Sequence, residues 1–185
     1  MNITIKKLTP ELCADYFDFF DNRAFSDRGG AYCYCTWFHV TCTVEEHYGA
    51  GRDAMKANAA AMIKSGRLNG YLAYDGGIAV GWCNADDRAV YARLPDCCEE
   101  GEGRVKSIVC FEIAPEYRGK GIASALLEQV IADAKDEGYT VVEAYPKLRE
   151  TPDPYDYAGP IRMYEKAGFA IMRERGGDVV MRKTL

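Results

Sequence analysis

The chain has 185 residues, 48% hydrophobic and 28% charged, with 23 Lys and Arg against 28 Asp and Glu, for a formal charge of −5 at pH 7. This is the size of one domain that can bury ~70% of its unfolded surface without staples, and no apolar run reaches the ~18–20 residues that span a bilayer. The acidic balance argues against a nucleic-acid partner, whose phosphates need a basic field, and suits a cationic ligand better.

Ile3 and Ile5 alternate with polar residues, which predicts a strand and not the apolar block of a signal peptide, so a cytoplasmic protein is expected. Thr9-Pro10 places a capping oxygen before a proline, and Leu12, Tyr16 and Phe20 then recur every four residues, predicting a short amphipathic helix. Residues 21–43 are rich in Gly, Cys and aromatics without a period of 2 or 3.6 and read as an ordered loop. Thr43 to Glu46 is a capping box opening a helical region that extends to about Ser65, interrupted at Gly49 and Gly51 and ended by Gly66.

Tyr71–Tyr74 and Ile78–Cys83 flank Asp75-Gly76-Gly77, a hairpin signal. Residues 85–104 carry six acids against three arginines, with Pro95 and two glycines, and read as a surface insertion. Lys106–Ala114 is a strand-like run, and Gly119–Glu137 sets Ile122, Leu126, Val130 and Ala134 on one helical face before Gly138. Thr140–Tyr145 follows as a strand, giving a parallel crossover, and Phe169–Arg173 pairs with Val179–Arg182 around Gly176-Gly177. With no internal repeat or linker, the expectation is a single domain over 1–185 with a mixed sheet and helices on its faces.

Ile113-Ala-Pro-Glu-Tyr-Arg-Gly-Lys-Gly-Ile-Ala123 carries the most chemistry. A strand turns into a helix whose start holds Gly119 and Gly121 between Arg118 and Lys120, so backbone can approach a ligand while free N–H groups and a positive helix end face it. That is a pyrophosphate cradle, although neither common nucleotide loop spacing is present.

Arg118-Gly-Lys-Gly-Ile-Ala123 and Tyr164-Glu-Lys-Ala-Gly-Phe169 resemble the paired signatures of the GNAT acetyltransferase superfamily, most strongly over residues 105–183 and by element order over 1–104. The resemblance implies an α/β (α+β) fold with a mixed, strongly twisted sheet flanked by helices, residues 1–104 forming the acceptor side and 105–183 the cofactor core. It implies acetyl-CoA as cosubstrate, backbone contacts from Arg118, Gly119, Lys120, Gly121, Ile122 and Ala123 to its pyrophosphate, and contacts from Phe111 and Ile113 to pantetheine. It also puts the Tyr164 hydroxyl near the cofactor sulfur, where a phenol with pKa ~10 can protonate a leaving thiolate. A core tyrosine under the Gly168-Phe169 turn is the alternative. Many members carry an asparagine seven residues before that tyrosine; this chain has Tyr157 there, in a long Pro- and Tyr-rich stretch, Pro146–Pro160, that could wall an acceptor pocket.

Acetyl transfer to an amine also needs a proton acceptor, and Glu112 and Glu143 on the two central strands are both candidates. Strand alternation alone does not choose between them. Cys33, Cys35, His39 and Cys42, with His47 beyond, gather thiols and imidazoles, but the C-x-C step does not match zinc spacing. The cluster reads as an aromatic, sulfur-rich lid, with zinc or a reactive thiol as alternatives. Cys97-Cys98 reads as an incidental pair, since a vicinal disulfide is strained.

The chain is thus expected to be an N-acetyltransferase acting on a primary amine of a small molecule, cationic for example, in a direct ternary complex. No metal, nucleic-acid or membrane partner is expected, and the oligomeric state is open, a homodimer included. A non-catalytic acyl-CoA-binding regulator, a protein N-terminal or lysine acetyltransferase, and a metal- or redox-sensing module are the other readings.

Overall fold

A computed structural model describes residues 1–94, 103–149, 151, 153, 155–175 and 177–185. After β1 (Ile3–Lys7), Pro10 opens a 3-10 turn leading into α1 (Cys13–Asn22). The irregular segment that follows contains one 3-10 turn at Trp37–His39. The α2 helix (Val44–Gly49) starts at the expected capping box: the Glu46 amide donates to the Thr43 hydroxyl at 3.1 Å and the Thr43 amide to the Glu46 carboxylate at 2.8 Å. After Gly51 comes α3 (Arg52–Lys64).

Strands β2 (Gly70–Asp75) and β3 (Ile78–Asp87) are joined through Gly76 and Gly77 at φ 58° and 86°, the left-handed pair that a two-residue hairpin turn requires. Then come β4 (Val105–Ile113), α4 (Ile122–Asp136), β5 (Val141–Ala144), α5 (Ile161–Lys166), β6 (Ala170–Arg175) and β7 (Asp178–Thr184). The seven strands form one mixed sheet in the order β1-β2-β3-β4-β5-β7-β6, with only β4 and β5 parallel. Among the described residues no helix is long and apolar enough to cross a membrane.

Each sheet face buries its own core. Leu126, Leu127, Val130 and Ala134 of α4 pack on Tyr71, Ala73, Cys83, Ile108 and Phe111, while Tyr16, Phe19 and Phe20 of α1 and Met62 and Ile63 of α3 pack on Leu72, Tyr74 and Trp82 opposite. Central strands buried on both faces need apolar residues at consecutive positions, which is why Tyr71–Tyr74 shows no alternation.

The expected insertion at 85–104 begins later than the charge pattern suggests. Ala85, Asp86 and Asp87 belong to β3 and pair with Ile108, Ser107 and Lys106, and Tyr91 is buried with its hydroxyl donating to Asn84 at 2.8 Å. A strand that continues to the core edge can carry half-buried acids, as Asp86 and Asp87 are, so composition alone misplaced the boundary. Asp96, Glu99, Glu100, Glu102 and the Cys97-Cys98 pair lie outside the described residues.

Two irregularities prepare a site. Pairing of β4 with β5 runs only from Val105↔Val141 to Ile108↔Ala144, so the rest of β4 has an open edge. The β3–β4 register also shifts, with Asn84 opposite Cys110 and Ala85 opposite Ile108, making Val109 a bulge residue. Regular alternation would put Ile108, Cys110 and Glu112 on one face. The bulge sends Ile108 to the α4 core and Cys110 and Glu112 to the opposite face.

Gly70 admits no side chain: a Cβ there would come within 2.5 Å of the buried Trp82 ring and closer still to the Cys83 carbonyl. Gly70→Ala is expected to cost ~2 kcal/mol through forced displacement of the hairpin, seen as a fall of roughly 4–8 °C in the thermal midpoint.

Candidate active site

Where β4 parts from β5, a cleft of about 700 Å³ opens between Phe111–Ile113 of β4, the start of α4, and the 155–160 segment. Its floor is the cradle. Gly119 and Gly121 adopt φ 73° and 83°, conformations that L side chains avoid, and nothing lies within 4 Å of where a Cβ would project from either. Gly121 is the N-cap of the 15-residue α4, whose first-turn amides have no partner within the helix. Open backbone, a helix start and the neighbouring Arg118 fit a pyrophosphate group. Gly119, Gly121, Ile122 and Ala123 line the cleft, whereas the Lys120 ammonium lies over the Tyr117 ring at 5.1 Å.

At the open edge of β4 the Phe111 amide donates to the Tyr157 carbonyl at 2.6 Å. The Ile113 amide, two residues on, points to the same edge by strand alternation, and the Ile113 carbonyl accepts from Arg118 Nε at 3.2 Å. Both main-chain positions expected to meet pantetheine therefore border the cleft, with the Phe111 donor already engaged.

The two candidate carboxylates have different surroundings. Glu112 lines the cleft and faces Arg28, whose Nη2 donates to it at 2.8 Å, with Arg118 Nη2 at 3.6 Å. Burial raises its carboxyl to about 7, against the pull of Arg28 and Arg118. The Arg28 guanidinium carbon lies 4.7 Å from the centroids of both the Phe25 and the Tyr155 ring. Glu143, by contrast, is fully buried away from the cleft lining. It accepts from Arg182 Nε at 2.5 Å, from Arg88 and from the Tyr145 hydroxyl, which also contacts Ser107 at 2.9 Å. Its partners are two guanidiniums and a phenol and it does not line the cleft, so the structure does not bring Glu143, the other candidate base, into the site with Glu112.

Tyr164 is fully buried between Phe111 and Phe169, with ring centroids 6.5 and 5.3 Å away. Its hydroxyl donates to the Ala158 carbonyl at 2.6 Å, and burial keeps it protonated by pushing its pKa well above the ordinary value. Gly159 separates it from the cleft: a Cβ there would lie 3.5 Å from the hydroxyl and 3.6 Å from the Phe111 ring.

The fold and cradle have counterparts. The family model described as acetyltransferase (GNAT) family matches residues 32–169, more than half of the sequence. The chain belongs to the GNAT acetyltransferase family. The structure is similar to the paia N-acetyltransferase from Thermoplasma acidophilum in complex with coenzyme A, at 17% identity and TM-score 0.60 over 100% of both chains. It is also similar to a GNAT-family acetyltransferase from Streptococcus pneumoniae, at 18% identity and TM-score 0.59 over 100% of this chain and 99% of that one. A third is the ribosomal-protein-S18-alanine N-acetyltransferase from Escherichia coli, at 12% identity and TM-score 0.55 over 99% of this chain and 94% of that one. No curated protein sequence matches the chain at a significant level.

In this GNAT protein the cysteine-rich loop packs beside Glu112. Cys35, the one described non-glycine residue at positive φ (51°), is buried, and Asn84 Nδ2 donates to its carbonyl at 3.0 Å and its sulfur at 3.2 Å. Burial opposes ionisation of Cys35, but hydrogen bonds from Cys110 and Asn84 outweigh it and lower its pKa, while burial pushes Cys33 up to about 12. His39 sits against Tyr91 and Asn84, and burial lowers it to about 4. His47 packs on Trp37. Among the described residues no group of three or more His, Cys, Asp or Glu is placed to hold a metal ion.

Asp27 and Arg28 are site-region partners that spacing did not reveal, whereas Tyr145, expected to offer aromatic surface to an acceptor, instead bonds Glu143 and Ser107 away from the cleft. Arg28 and Glu112 are 84 positions apart, and only the fold brings them together. Glu143→Ala takes the shared carboxylate from Arg88 and Arg182 and is expected to cost ~3–5 kcal/mol, measurable by urea denaturation.

Proposed function

We propose that this GNAT protein transfers the acetyl group of acetyl-CoA to a primary amine of a small molecule in a direct ternary complex. Glu112 is the general base and Tyr164 the general acid in this reading. The observation that carries it is Glu112 itself: a cleft-lining carboxyl at about 7 is matched to proton transfer near neutral pH. In one domain, residues 1–104 supply the acceptor side and 105–183 the cofactor side.

The cradle from Arg118 to Ala123 fits the cofactor pyrophosphate and the β4 edge at Phe111 and Ile113 fits its pantetheine arm. When bound, acetyl-CoA supplies an activated acetyl thioester. Glu112 takes a proton from the acceptor nitrogen. Tyr164, whose hydroxyl lies 3.5 Å from where a Cβ on the cleft-lining Gly159 would project, delivers its proton to the departing sulfur once it exchanges the Ala158 carbonyl for that acceptor. Its raised pKa keeps that proton available at all physiological pH.

Arg28, close to the Phe25 and Tyr155 rings and paired with Glu112, is the neighbour an acceptor amine would meet beside the base, and a small amine suits that approach better than a folded protein surface. The thiols of the 33–42 loop suit a reducing compartment, and the cytoplasm is the one we assign.

Glu112→Gln is expected to lower kcat/KM by ~10²–10⁴-fold. In the unaltered protein the base must be ionised, so kcat/KM for the acetyl donor, which reports the free protein, rises with pH through about 7, and this limb disappears in the variant; a pH-rate series on both reads it directly. Tyr164→Phe is expected to reduce turnover ~10–1,000-fold with CoA affinity nearly unchanged by calorimetry. Undiminished turnover would leave Tyr164 as a packing residue.

A further inference from the structure

Arg118 is the first residue of the cradle, yet its guanidinium does not lie over the glycines. It turns back to the acceptor side, where Nη1 meets Asp27 at 2.5 Å, Nε meets the Ile113 carbonyl at 3.2 Å and Nη2 stands 3.6 Å from Glu112. Nη2 is buried without a hydrogen-bond acceptor, so part of the fork is unused. One side chain thus touches both halves of the site, 91 positions from its Asp27 partner.

The groups facing Glu112 come from three elements. The loop after α1 contributes Asp27, Arg28, Cys33 and Cys35; β4 contributes Cys110; the cradle contributes Arg118. Arg28 makes a direct hydrogen bond to Glu112 and is packed between two rings, so it is fixed. Arg118 has the longer contact to Glu112, 3.6 Å, and the more distant place over the same Tyr155 ring, 5.4 Å, while its Asp27 partner shares the irregular loop with Arg28. A phosphate in the cradle offers Arg118 two charge-assisted acceptors in fork geometry, a stronger partner than one exposed carboxylate.

We infer that Arg118 is a positioning residue that couples cofactor binding to the acceptor site: a pyrophosphate in the cradle draws its guanidinium off Glu112 and Asp27, leaving Glu112 with Arg28. The inference rests on the reading of the cradle and of Glu112 given above. A carboxylate that loses a nearby cation binds its proton more tightly, so Glu112 becomes the stronger base when the acetyl donor is in place. Burial already holds it at about 7 against both arginines, and the departure of Arg118 moves it further up. Release of Arg118 from Asp27 also frees the loop that roofs the acceptor, which favours cofactor binding first.

The test is a carbon-13 titration of the Glu112 carboxyl, assigned with Glu112→Gln, in the full chain with and without saturating CoA, for the unaltered protein and Arg118→Met. In the unaltered protein CoA is expected to raise the proton affinity of Glu112 by roughly tenfold or more. In Arg118→Met the affinity is already raised without CoA, and CoA adds less than a third of that shift on a logarithmic scale. Arg118→Gln is expected to behave as Arg118→Met does, should the first variant fold poorly. Equal shifts in both proteins mean that phosphate charge acts through space and overturn the coupling while leaving the cradle intact. Failure of CoA to bind with a saturable calorimetric isotherm overturns the cradle reading and the coupling with it.

Discussion

Parallel pairing of β4 with β5 stops at Ile108 and Ala144, and the site depends on that parting. A strand edge left open beside a core exposes amides that cost about 1–3 kcal/mol each when buried without an acceptor. The edge therefore has to be met by another part of the chain or by a ligand. Here the Tyr157 carbonyl meets it at Phe111. Because β4 leads through the cradle into α4, the open edge and the positive helix end share one cleft. A ligand with an anionic head and a hydrogen-bonding arm is complementary to both.

The bulge at Val109 decides what that cleft contains. It lets Ile108 and Phe111 remain in the α4 core while Cys110 and Glu112 face the α1 side. Glu143 lies on the same face, opposite Ser107, yet the two carboxylates diverge through their neighbours. Glu143 has Arg88, Arg182 and Tyr145 around it and no exposure, so it is enclosed away from the cleft. Glu112 has Arg28 in direct contact and Arg118 at a longer distance, which leaves burial the larger influence and its proton exchangeable near neutrality.

What sequence made legible was what local chemistry determines. The capping box at Thr43 and Glu46, the Asp75-Gly76-Gly77 hairpin and the glycines of the cradle all appear where turn and cap geometry demand them. The choice between Glu112 and Glu143 could not be read, because a one-residue bulge changes the face of every residue on one side of it and Val109 carries no signal of its own. Nor could the Asp27–Arg118 and Arg28–Glu112 pairs, which exist only after the loop at 21–36 folds across the sheet. The acids of 85–104 misled for a related reason: composition reports polarity, and the half-buried end of β3 carries acids as a loop does.

Tyr157 stands where many GNAT members have an asparagine, and its main chain now serves the β4 edge. Its segment is prebuilt: Asp156 accepts from the Ala158 amide at 3.0 Å and pairs with Arg149 at 3.2 Å, and the Tyr157 ring packs near Phe38, 6.3 Å between centroids. On the proposed reading, a pantetheine carbonyl reaching Phe111 exchanges one hydrogen bond for another, and the net gain of such an exchange is well under the ~0.5–1.5 kcal/mol of a new bond. Affinity then has to come from the pyrophosphate end, where the cradle amides and Arg118 Nη2 gain acceptors. The arm contributes register more than energy: it sets the thioester beside Glu112, while the charged head at Arg118 decides whether the site is assembled at all.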